Sequence, residues 1–449
     1  MIRLAAAELR AGWTTWVGVV MVATVAALAC GVAISLLETG LHAGPEYLEG
    51  FSGGTAAILM FSAPAAIAVT AAVARLAVDL GRPTYARWQL AGVAPGQTAL
   101  VVGTQLAAAG LAGGVLGFGA AAALAGPVVR AAFEDGTGGY ESIPVVTGPL
   151  TAAITIPAAM GLVMLGGLRA ARAAGRTPPL AALREPETHA KRMRWWRWIA
   201  LAAALAGTWW YCTVLFQARD TTNLLSWVPL FPVVLTVLVV TAGPLLFPLV
   251  LRGWTSLIPA RASASWHLAR HQARYHLSRS TASITPLFTG TAILGGLFTM
   301  SATLDASMRA GGERGVTLGI AQVMIMIGGP VLLAAVGAAV VIFMSNRTQG
   351  AEQALLLATG ASSGTVLATA VWQAVIHVVT ATLLAAAVLV ATALVSAAAV
   401  GRFVPAIPIV NAGYALALAG VGLALTLAAT ALPVAARTRE PLAARLAAA

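Results

Sequence analysis

Arg87-Trp88-Gln89-Leu90-Ala91-Gly92-Val93-Ala94-Pro95-Gly96-Gln97 is a short polar link between two long apolar runs. A second link, Leu355-Leu356-Leu357-Ala358-Thr359-Gly360-Ala361-Ser362-Ser363-Gly364-Thr365, stands in a corresponding place later in the chain. The runs on either side are long enough to cross a bilayer, which takes about 20 apolar residues as a helix. Reading the links as turns between membrane helices decides the fold.

The composition requires the same reading. Of the 449 residues, 59% are hydrophobic and only 9% charged, against about 25% charged in soluble domains. Such a chain cannot cover itself in water, and no stretch has the composition of a large soluble core. Ten spans fit, at about 12–37, 54–78, 98–127, 145–168, 197–217, 227–251, 283–304, 317–344, 365–400 and 411–434. The expected fold class is an all-α polytopic membrane protein. Several runs exceed a bilayer's thickness, so tilting or extension beyond it is expected. The first run follows the basic segment Met1 to Arg10 and is too long for a signal-peptide core, so it is read as the first span. Cys30 and Cys212 lie in apolar segments and form neither a disulfide nor a metal pattern.

The net charge of +12 would point to nucleic acid in a soluble protein. Here the basic residues sit in short links, so they report topology. With alternating spans, 22 of the 27 Lys and Arg fall on the side of the N-terminus. The positive-inside rule then puts both termini in the cytoplasm, with the lipid bilayer as partner and no nucleic acid. Lys191-Arg192-Met193-Arg194-Trp195-Trp196-Arg197-Trp198 reads as an interfacial anchor. The stretch 252–282 carries Trp266-His267-Leu268-Ala269-Arg270-His271 and suits an amphipathic helix on the inner surface. Its histidines have no acidic or cysteine partner nearby in sequence, and are read as solvated. The outer segments 38–53 and 128–144 are read as loops too short to hold a domain.

Placing Gly92 on Gly360 sets an offset of 268, which also aligns Gly96 with Gly364, Gln105 with Gln373 and Leu9 with Leu277. Arg176-Thr177-Pro178-Pro179-Leu180-Ala181-Ala182 resembles Arg437-Thr438-Arg439-Glu440-Pro441-Leu442-Ala443-Ala444. The expected organisation is two parallel four-span repeats, residues 1–185 and 261–449, joined by two spans within 186–260.

These residues resemble the FtsX-like ABC transporter permeases, the MacB-type or type VII class. The similarity rests on Glu352-Gln353-Ala354-Leu355-Leu356-Leu357-Ala358-Thr359-Gly360-Ala361, on its counterpart Tyr85 to Val93 with Gln97, and on the Pro-Leu-Ala-Ala repeat ends. The chain departs from the pattern at Thr84, which stands in the slot of Glu352. It departs again at Gln105 and Gln373, where the family often has an acidic residue, and no large extracellular domain fits between the spans. The resemblance implies a transmembrane subunit in a bacterial cell membrane, paired with a second permease copy or paralogue. A separate ABC ATPase would use ATP and magnesium, and this chain would bind no cofactor. It implies that helices at about 80–97 and 347–364 meet the ATPase through Arg82, Arg87, Arg347 and Glu352. Gly92, Gly96, Gly360 and Gly364 would end those helices and turn the chain into the next span. The cargo would be amphipathic or lipophilic, such as an antimicrobial peptide or lipid. The family also includes members that transmit force and move no cargo.

The chain holds no G-x-x-x-x-G-K-[ST] run, so it is not expected to hydrolyse ATP itself. No H-E-x-x-H, cysteine cluster or G-x-S-x-G occurs, and an enzymatic role is not expected. An ion-driven transporter would need buried carboxylates, and only Glu38 and Asp79 lie near span ends. Gln105, Gln373 and His377 are the notable polar groups in spans three and nine. They bond helix to helix or line a path, and the first is preferred. Gly110-Leu111-Ala112-Gly113-Gly114 lies in mid-span and reads as a small-residue helix contact.

Overall fold

The computed structural model describes residues 13–133, 143–176, 195–259, 263–275, 277–312, 320–348 and 356–438. Among them there is no strand, and ten helices are long and apolar enough to cross a membrane. The chain is an all-helical, polytopic membrane protein. That form follows from the solvent. In hydrocarbon every backbone N–H and C=O must find a partner within the protein, and a helix supplies them all locally.

The helices are α1 (Trp13–Ala43), α2 (Pro45–Leu90), α3 (Pro95–Phe133), α4 (Pro149–Arg176) and α5 (Trp195–Phe216). Next come the short α6 (Thr221–Trp227), then α7 (Phe231–Thr241), α8 (Gly243–Leu257) and α9 (Ala264–Tyr275). The chain closes with α10 (Leu277–Ala310), α11 (Ile320–Thr348), α12 (Ser363–Val400) and α13 (Gly413–Thr438). They form two compact units. The described residues of Met1–Thr188 and Gly319–Met344 make the first, and those of His189–Leu318 and Ser345–Ala449 the second. Most of α11 therefore packs with helices far from it in sequence. Its Val340 and Met344 side chains lie over Gly18, its Gly329 over Ala29, and its Gly337 against Val69.

Three expectations from sequence need correction. The outer loop 38–53 is helical almost throughout, and the reversal is confined to Gly44, with φ 117°. A left-handed glycine followed by proline at a helix start is enough to turn the chain. The link helix expected at 80–97 is not separate, while residues 349–355 of the one expected at 347–364 lie outside the described residues. The first runs to Leu90 as part of the 46-residue α2. Span six, expected over 227–251, is broken. A 3-10 turn at Val228–Leu230 precedes α7, and a second break at Ala242 separates α7 from α8. Pro229, Pro232 and Pro244 lack the N–H that a continuous helix would use, so each sits in the first turn of a new one.

In the first unit α3 packs against both α1 and α4. A Cβ at Gly110 would stand 2.8 Å from the Met160 Cα, and one at Gly114 would stand 3.0 Å from the Ile156 carbonyl oxygen. Gly113 and Gly117, one helical face away, would meet Ala23, Ala27 and the Thr24 carbonyl of α1. The glycine-rich run thus serves two neighbours at once, four residues apart on each face. In the second unit α10 is the central helix, with Gly295 against Ala415 and Leu389 and Gly296 against Pro232. By contrast α5 is largely exposed, with Trp195 and Trp198 near one end and Trp209 and Trp210 near the other. That is the arrangement of a lipid-facing span anchored at both interfaces.

Gly117→Ala is expected to lower the thermal midpoint of the purified protein, by an overpacking cost of about 1–3 kcal/mol. Gly119→Ala, where an added Cβ meets nothing within 4 Å, should leave it unchanged or slightly raised. Detergent-solubilised melting curves of the two variants check this.

Candidate functional site

The two links have the same backbone geometry. In the first, α2 ends with Gly92 N–H donating to Gln89 O and Val93 N–H to Trp88 O, each at 3.0 Å. In the second, Gly360 N–H donates to Leu357 O at 3.1 Å and Ala361 N–H to Leu356 O at 3.0 Å. Gly92 has φ 93° and Gly360 φ 98°, the left-handed stop that closes a helix C-terminus. The next helix starts three residues later in both. The Gln97 side chain accepts from Ala94 N–H at 3.2 Å, and the Ser362 hydroxyl accepts from Thr365 N–H at 3.1 Å. Gly96 and Gly364 lie inside the first turn of α3 and α12 with ordinary φ, and so take no part in stopping the preceding helix.

The charged residues expected on these links are only partly described. Arg87 is exposed in the last turn of α2, beside Trp88, whose ring lies 5.5 Å from the buried Tyr85. Arg82 and Arg347 lie in α2 and α11. Glu352 lies outside the described residues, as do most of both repeat-end motifs, His276 and the segment 134–142.

The buried polar groups join helices. Gln373 of α12 donates to Gln272 of α9 at 2.7 Å, and His377 Nε2 lies 3.3 Å from the Ser280 hydroxyl of α10. Trp254 donates to Thr380 at 2.9 Å. Gln105 is wholly buried within the first unit. The amphipathic helix expected near 252–282 is α9. Its apolar face is covered by protein, since Trp266 is 2% exposed and lies against Trp254 and Trp372. Arg274 fixes its far end, donating to Thr255 Oγ1 at 2.8 Å and to the Arg252 carbonyl at 3.0 Å. Burial, and then the nearby Arg270 and Arg252, lower the Arg274 guanidinium from its ordinary value. His267 and His271 are exposed with ring centroids 4.6 Å apart, and no metal-binding group of three occurs among the described residues.

Two anchors escaped the sequence reading. Glu38, 2% exposed at the end of α1, holds the start of α4. It accepts from Gly148 N–H at 2.9 Å, Leu150 N–H at 3.2 Å, Thr151 N–H at 3.0 Å and the Thr151 hydroxyl at 2.6 Å. A carboxylate at a helix N-terminus satisfies its free N–H groups and matches its dipole. In the second unit Thr299, Thr303 and Ser307 of α10 accept from Asn411, Ile409 and Ile407 N–H at 3.1–3.2 Å. Four residues of helix rise about 6 Å and two of extended chain slightly more, so alternate residues meet successive turns. The sequence signal was a hydroxyl at every fourth position of a span.

Comparison with family models, with curated proteins and with solved structures finds no match in any of the three.

Gly92→Ala and Gly360→Ala should each cost about 1–2 kcal/mol from the left-handed backbone, whereas Gly96→Ala should cost nothing measurable. Glu38→Ala leaves several N–H groups of α4 without their acceptor. It should destabilise the first unit by about 1–3 kcal/mol or more. Chemical-denaturation midpoints of the four variants check both statements.

Proposed function

We propose that this chain is the transmembrane subunit of an ATP-driven transporter of the FtsX-like permease type, set in a bacterial cell membrane with both termini in the cytoplasm. The observation that carries the reading is the matched pair of links. Two segments with one backbone geometry, 268 residues apart, support two parallel repeats with equivalent points of attachment. A separate ATPase docks at both links, through Arg82 and Arg87 on one and Arg347 and Glu352 on the other. It uses ATP and magnesium, and this chain supplies no cofactor site. Because α2 is one helix from Pro45 to Leu90, force applied at the first link travels along a rigid rod into the bilayer. A second permease copy or paralogue completes the complex.

The polar groups bear on rival functions. Glu38 already serves several donors at the start of α4, which leaves it poorly placed to take up a coupling ion. Gln373 and His377 bond neighbouring helices, which favours a structural part for them over a polar path. The cargo that fits such a bundle is amphipathic or lipophilic, a peptide or lipid exported or extracted from the membrane.

Copurification with the ATPase encoded nearest to this chain tests the proposal. The native chain should retain the ATPase and stimulate its turnover. Arg87→Glu combined with Glu352→Lys should reduce both about tenfold, equivalent to ~1.4 kcal/mol of binding. Unchanged retention and unchanged stimulated hydrolysis in that variant would sink the proposal.

A further inference from the structure

In the first unit a cavity of about 400 Å³ lies between α1, α2 and α4. Small side chains create it. Ala26 of α1, Ala63 and Ala66 of α2, and Ala158 and Gly161 of α4 all line it. A Cβ added at Gly161 would meet nothing within 4 Å. Ser62 lies near the middle of the span Pro45–Gly81, and Ala158 near the middle of Pro149–Arg169. The cavity therefore sits at hydrocarbon depth. At its edge Ile67 and Leu165 are 56% and 75% exposed, so it opens sideways onto the part of the surface that lipid covers. No charged residue lines it. Cys30 and Ser62 supply its polar side-chain atoms, both neutral. The Ser62 hydroxyl is buried with no hydrogen-bond partner among the described residues.

We propose that this cavity is a saturable site for one acyl chain of a membrane lipid, entering laterally from the bilayer. Its volume falls within the range of ligand pockets, about 300–1,000 Å³, enough for a single chain but not for a whole phospholipid. The uncharged wall rejects a headgroup, which stays at the interface. Apolar cavities remain dry and accept apolar guests, and at this depth the available guest is a lipid tail. The site rests on the membrane-spanning fold and does not depend on coupling to an ATPase.

The contrast between the cavity helices and α5 provides a test. Cys30 lines the cavity, whereas α5 is largely exposed and lies outside it. The full chain is placed in phosphatidylcholine nanodiscs with a fatty acid carrying a mid-chain diazirine, irradiated, and mapped by mass spectrometry. Adducts should concentrate on the cavity segments of α2 and α4 and saturate with probe. They should fall about tenfold in Gly161→Phe, while adducts on α5 stay constant. A second measurement needs no variant. Increasing unlabelled fatty acid should displace probe adducts from the cavity segments of α2 and α4, but not from α5. Adducts no denser in the cavity than on α5, or cavity adducts that ignore unlabelled fatty acid, would show ordinary bilayer contact and overturn the proposal.

Discussion

Lipid tails are as apolar as leucine, so helices in a bilayer gain little by burying apolar side chains against one another. What holds them is close backbone approach, and the first unit depends on that contact. Gly110 and Gly114 bring α3 onto α4, while Gly113 and Gly117 bring it onto α1. Remove the space and the three helices separate by the width of a side chain. The cluster of Val19, Val22, Ala23, Val102, Leu106 and Val163 then loses its contacts. In the second unit Gly295 and Gly296 of α10 bring in Ala415, Leu389 and Pro232.

A second constraint is the accounting of backbone polar groups. Wherever the chain leaves the helix beside a span, its N–H groups need partners that water does not supply at depth. Glu38 meets this need before α4. Thr299, Thr303 and Ser307 meet it before α13 by accepting from alternate residues of an extended segment. The two solutions use different chemistry, a single carboxylate and a row of hydroxyls, for the same physical demand. The same economy explains why Gln373 and His377 face other polar side chains.

Much of this was legible in the chain. The number of spans follows from hydropathy, and the turn at each link follows from glycine, which alone adopts the left-handed backbone without strain. The glycine face of α3 was visible as spacing. Less legible were the ends of α2. No hydropathy signal distinguishes a helix that stops at the interface from one that continues as a rod, and local propensity carried it on to Leu90. The cavity was not legible at all, since it arises where small residues of three separate helices coincide.

The sequence by itself determined that the chain is helical, that it crosses a membrane many times, and that it turns at the two glycine links. These properties depend on one segment and its solvent. Only the tertiary structure decided that α11 packs with helices hundreds of residues away, that Glu38 caps α4, and that Trp266 is covered rather than set against lipid. Each of those depends on which surfaces meet, and an apolar face reads identically whether protein or lipid covers it.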